Sequence, residues 1–139
     1  MEFGHEKLDV YRLSVDNVAW VHEKAAALAG IHRSAREQWL RASQSIPLNI
    51  AEGNGKTAKA DRRRYFETAR GSALECAAIQ DVLVVGKVLE REESQKYKIQ
   101  LERVVAMLSR LGGRGYRVEE DCASYGTAQL DSEGDVSSD

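Results

Sequence analysis

Apolar residues in the first stretch of the chain recur at Leu8, Tyr11, Val15, Val18, His22, Ala25 and Ala29, in steps that alternate between three and four. That spacing lines side chains along one side of an α-helix. It predicts a helix over about residues 6–29, with half-apolar His22 in its stripe and Gly30 as its C-terminal cap. A second helix is expected over about 35–52, opened by a capping box of Ser34 and Glu37, with Trp39, Ala42 or Ser43, Ile46 and Ile50 facing the core. Gly53 is expected to stop it and Asn54-Gly55 to turn the chain. Thr57 then caps a third helix over about 58–89, with a stripe of Tyr65 or Phe66, Ala69, Ala73, Cys76, Gln80 and Leu83 reaching toward Lys87. The fourth, over about 91–111, buries Tyr97, Leu101, Val104, Leu108 and Leu111, and Gly112-Gly113 ends it. No segment alternates with period two for long enough to compete as a strand. Four helices with short links predict an all-α, up-down-up-down four-helix bundle in residues 1–115.

Three features interrupt this pattern. Pro47, the only proline in the chain, falls inside the second helix. There it removes the hydrogen bond to the Ser43 carbonyl at a cost of about 3 kcal/mol, so the helix is either kinked or made of two shorter pieces. A polar stripe, Gln38, Arg41, Ser45, Asn49 and Glu52, runs along one side of the same helix. A solvated face would be the ordinary explanation, but Ser and Asn are weak helix formers, and a face built from them suits a wet interface between subunits. Gly71-Ser72 sits in the middle of the third helix, where glycine costs about 1 kcal/mol relative to alanine. With Thr68 and Glu75 it marks a close approach of another backbone, either within one bundle or between copies.

Charge changes the picture at two places. Residues 116–139 hold seven acids and one base, so the −2 of the whole chain is a −6 tail on a body of about +4. The tail's last 15 or so residues lack any period and read as disordered. In the body, Lys56, Lys59, Arg62, Arg63 and Arg64 crowd the start of the third helix. A helix N-terminus already carries positive partial charge, so cations there are locally unfavourable and point to an anionic partner such as RNA or DNA. A solvated turn eased by Asp61 and by Arg63–Glu67 pairing is the plainer alternative, and the acidic tail is a competitor for the same patch.

Other chemistry is thinly supported. Glu2-Phe3-Gly4-His5 has the Glu-x-x-His spacing of bundle metal sites but no second copy, and no metal is expected. Gly53-Asn54-Gly55-Lys56-Thr57 ends like a phosphate-binding loop, but Ile50 stands where its first glycine belongs. No serine, cysteine and histidine arrangement suggests catalysis, so no enzyme, cofactor or small-molecule substrate is expected. Two cysteines make no disulfide framework, and Cys76 reads as a small buried hydrophobe. No apolar run reaches the roughly 20 residues that span a bilayer, and the first residues lack the regions of a secretory signal. A cytoplasmic protein without membrane contact is the expectation.

Several of these residues carry a resemblance. Leu8-Asp9-Val10-Tyr11, Ser43 or Gln44 leading into Ser45-Ile46-Pro47, then Asn49-Ile50-Ala51-Glu52-Gly53, and Ala69, Gly71-Ser72 and Glu75 together resemble the four-helix bundle protein family. That family includes the proteins encoded by intervening sequences in bacterial large-subunit ribosomal RNA genes, and it is related to the accessory variability determinants of diversity-generating retroelements. The resemblance covers about residues 3–112. It implies a protomer assembled into a cyclic homopentamer, a partly basic surface in contact with nucleic acid, and no enzymatic activity. It also marks Arg41, Ser45, Pro47, Asn49, Glu52, Gly53, Gly71, Ser72 and Glu75 as family motif or oligomer-interface positions. The acidic tail and the near-neutral total charge depart from the pattern. Two functions follow as expectations: an oligomeric adaptor on RNA or on a nucleic-acid-handling protein, or an oligomeric protein scaffold without nucleic-acid contact.

Overall fold

The computed structural model describes residues 2–112, and the acidic segment 116–139 lies outside the described residues. Four α-helices form a bundle: α1 (Asp9–Ala25), α2 (Arg33–Asn54), α3 (Lys59–Val85) and α4 (Arg91–Leu111), with 3-10 turns at Gly4–Lys7 and Gly30–His32. Among the described residues there is no strand. Polar contacts fix the order. Trp20 and Lys24, late in α1, meet Glu93 in the first turn of α4. Gln80 and Asp81, late in α3, meet Ser94 and Lys98 early in α4. Ser45 of α2 meets Ser72 of α3. Successive helices are therefore antiparallel, and α1 returns to α4, as an up-down-up-down bundle requires.

The core of α2 and α3 follows the predicted stripes. Trp39, Ala42, Ser43, Ile46 and Ile50 are buried on α2, and Phe66, Ala69, Ala73, Cys76, Gln80 and Leu83 on α3. On α4 Leu101, Val104 and Leu108 are buried, while Tyr97 is half-buried and stacks on Trp20 with ring centroids 4.0 Å apart. Trp20 also meets Trp39 edge-on at 5.4 Å, so two indoles and a phenol tie three helices together. Cys76 is fully buried. Burial, and then the charge of Glu75, push its thiol up to about 12, so it is an unreactive core atom.

Several boundaries and one stripe differ from the sequence reading. On α1 the buried residues are Val10, Ser14, Asn17, Trp20, Val21 and Ala25, a face displaced by one residue from Tyr11, Val15, Val18 and His22. One residue is about 100° around a helix. Ser14 and Asn17 occupy the middle of the buried face, and their polarity hid it, while Val15 is 40% exposed and His22 exposed. Ser14 donates to the Tyr11 carbonyl, but neither amide atom of Asn17 has a partner among the described residues. The expected caps also fall elsewhere. His32, not Ser34, precedes α2, and Ala58, not Thr57, precedes α3, and neither gives a side-chain cap. Helix α1 stops at Ala25, well before Gly30, which takes φ 61° in the following turn. Helix α3 ends at Val85 because Lys87 adopts φ 64°. Val88 N–H then bonds Leu83 O and Lys87 N–H bonds Val84 O, a Schellman termination that turns Lys87 away from the core stripe. Pro47 does not divide its helix, since α2 is continuous from Arg33 to Asn54 with Pro47 buried.

The α1–α4 clamp gives a pH dependence. Glu93 accepts from Trp20 Nε1 at 2.8 Å and pairs with Lys24 at 3.0 Å. Burial raises its pKa, but the Trp20 and Lys24 hydrogen bonds and nearby positive charge outweigh this and hold it below the usual 4.5. A depressed carboxylate contributes stability that is full above its unfolded pKa and is lost as pH falls through the folded one. Chemical denaturation from pH 6 downward should therefore show falling stability below about pH 4.5, with a shallower fall in Glu93→Gln.

Candidate nucleic-acid interface

The end of the bundle where α2 turns into α3 carries the basic cluster. The chain can turn tightly there because of Gly53. It lies inside α2 and is buried, and a Cβ on it would sit 2.9 Å from Phe66 Cε1 and 3.0 Å from Tyr65 Cβ. Only a residue without a side chain lets the start of α3 close onto the end of α2. Arg62 then reaches back. Its Nη1 donates to the carbonyls of Gly53, Asn54 and Lys56 at 3.2–3.4 Å. These are carbonyls of the last α2 turn and the link, beyond the reach of the helical ladder, and Gly53 O also accepts from Lys56 N–H at 3.2 Å. Arg62 is thus a clamp on the turn, with its guanidinium 5.4 Å from the Phe66 ring.

The other four cations are placed differently. Lys56 pairs with Glu52 at 3.6 Å and Arg64 with Asp61 at 3.4 Å, both exposed i,i+4 or i,i+3 contacts of small net worth. Both also lie over the Tyr65 ring, at 5.4 and 4.9 Å. Lys59 and Arg63 are exposed and have no ion-pair partner among the described residues. They stand in the first turn and a half of a helix without a side-chain cap, where Asp61 is the one acid of the first turn. The local field is therefore positive and open to solvent.

The motif positions divide into two groups. Ser45, Asn49 and Ser72 bind one another: Ser72 Oγ donates to Ser45 Oγ at 2.8 Å, and Asn49 Nδ2 donates to Ser45 O and Oγ at 2.8 and 3.0 Å. With buried Pro47 and Gly53 they hold α2 against α3 inside the protomer. Arg41, Glu52, Gly71 and Glu75 are exposed. Gly71 has no heavy atom within 4 Å of where a Cβ would lie, so close packing inside the bundle does not explain it. It begins an outward stripe on α3, continued by Leu74 (49% exposed), Ala78, Val82 (63%) and Val85 (79%). Helix α3 is thus apolar on two opposite sides, and the sequence reading found only the inner one.

Among the described residues no group of three or more His, Cys, Asp or Glu side chains could hold a metal, and no helix is long and apolar enough to cross a membrane. The fold and its clusters define a four-helix bundle with one basic end and one unpartnered apolar face. The model of the family described as 23S rRNA-intervening sequence protein matches residues 6–110, and the chain belongs to that family. None of the curated proteins compared with the chain matches it.

Proposed function

We propose that the protein is a non-enzymatic, cytoplasmic homo-oligomer that associates with RNA through the basic ends of its bundles. The observation that carries this is the pair Lys59 and Arg63, uncompensated cations at an uncapped helix start, where they oppose the helix field unless an anion is present. The family description supports the choice of RNA. Assembly rests on the outer face of α3. The space where a Gly71 side chain would lie is open, and Gly71 begins a row of exposed apolar side chains on the side of α3 that also carries Glu75. A second copy of the chain, presenting the same exposed apolar row, is the occupant proposed for this face, and the family resemblance gives five copies in a closed ring. A ring repeats the basic end and so gains avidity along one RNA.

A scaffold without nucleic-acid contact is the second reading, favoured by the internal engagement of Arg62, Lys56 and Arg64. One titration separates the two. Fluorescence anisotropy with a labelled RNA should show binding at low salt that weakens steeply as salt rises, because phosphate contacts release counterions. The double variant Lys59→Ala/Arg63→Ala should lower affinity about tenfold or more at low salt and flatten the salt slope by about two phosphate contacts per protomer. Arg62 is unsuited to this test, since removing it takes a donor from three carbonyls of the turn. Absence of binding by the wild type at low salt would leave the scaffold reading.

A further inference from the structure

We propose that the RNA at this end is single-stranded and that the Phe3–His5 ring pair takes one of its unpaired bases. This rests on the RNA reading above. The 3-10 turn Gly4–Lys7 holds the two rings parallel, 6° apart with centroids at 5.9 Å. Tyr11 of α1, half-buried against the core, meets His5 edge-on at 4.7 Å and supports the pair from beneath. The turn itself is fixed by Glu6 N–H to Phe3 O, Leu8 N–H to His5 O, and Arg12 Nε to Glu6 O, all within 3.1 Å. Phe3 is nonetheless 65% exposed. A large apolar ring is thus presented to water from a hydrogen-bonded turn, and the order of that turn lowers the entropy lost when something stacks on the ring.

The ring pair shares its site with the cations. A Cβ on Gly4 would lie 3.1 Å from Asn54 Nδ2, and the Asn54 carbonyl accepts from Arg62. The platform therefore adjoins the α2–α3 turn, which holds Lys56 and leads into Lys59 at the start of α3. The other aromatics of this turn are committed. Phe66 is buried, and Tyr65 already has Lys56 and Arg64 over its ring. An open ring near solvent-facing cations is the arrangement by which proteins hold unpaired bases while the cations hold the phosphates. Bases in an A-form duplex have both faces covered and are not available to such a ring.

The test is anisotropy at low salt with the full chain and two probes, a fluorescein-labelled oligouridylate of about 12 nucleotides and an RNA duplex of similar length. The expected result is tighter binding of the single strand than of the duplex. Phe3→Ala should weaken the single strand about tenfold, leave the duplex unchanged and keep the helical circular dichroism, while Phe3→Trp should retain the affinity. Ile31→Ala, which removes a still more exposed apolar side chain from the α1–α2 connection at the opposite end, should change neither probe. Wild-type binding with Phe3→Ala indistinguishable from it, or weakened equally for both probes, would overturn this proposal and leave the RNA reading intact. Failure of the wild type to bind either probe would overturn both.

Discussion

On the assembly proposed above, Gly71→Leu should yield a folded monomer at concentrations where the wild type forms the oligomer. Glycine in a helix interior is about 1 kcal/mol worse than leucine or alanine, and the space around Gly71 is open, so the isolated protomer should become slightly more stable. The same side chain would stand between α3 and the backbone of another copy and prevent their approach. Light scattering after size exclusion, with urea unfolding of the monomer, reads both effects. An unchanged oligomer would show that the Gly71–Val85 stripe is not the interface. Loss of the oligomer together with loss of protomer stability would show instead that Gly71 serves the bundle.

Trp39→Ala should lower the unfolding free energy by about 3–5 kcal/mol, the range for emptying a large aromatic site in a core. Trp39 is fully buried and edge-on to Trp20, which in turn stacks on Tyr97 and donates to Glu93. Removing it loosens α2 from α1 and disturbs the α1–α4 clamp. The indole N–H of Trp39 has no partner among the described residues. Trp39→Phe deletes that unpaired donor along with part of the ring, and its smaller cavity cost is partly offset. Denaturant melts should therefore rank wild type and Trp39→Phe close together and Trp39→Ala far below. Equal losses in the two variants would mean that Trp39 Nε1 is bonded.

Much of this architecture is legible in the sequence because helix period and core burial agree in α2, α3 and α4. Trp39, Ile46, Ile50, Ala69, Ala73, Leu101 and Val104 are apolar where the fold buries them. They agree less in α1, where Ser14 and Asn17 occupy the buried face and a neighbouring stripe of Tyr11 and Val18, half-buried at its edge, carries the stronger hydropathy signal. Helix ends are less legible still. The N-caps fall on His32 and Ala58, neither of which supplies a cap hydrogen bond, and α3 stops on a left-handed lysine where glycine would be the expected signal. For the site, the basic cluster is plain in the sequence but its division of labour is not. That Arg62 spends its donors on three carbonyls depends on how α2 and α3 meet. Packing likewise reassigns the two motif glycines: Gly53, expected as a helix stop, lies inside α2 against Phe66, and Gly71, expected at a close approach, faces open space within the protomer. The Phe3–His5 pair carries no periodic signal at all.

Native mass spectrometry of the full chain, mixed with a short single-stranded RNA at low ionic strength, tests assembly and RNA association together. The expected spectrum shows a multiple of 15.5 kDa, five copies if the family resemblance extends to stoichiometry, with the mass of bound RNA added. A bare 15.5 kDa monomer at tens of micromolar would contradict the account.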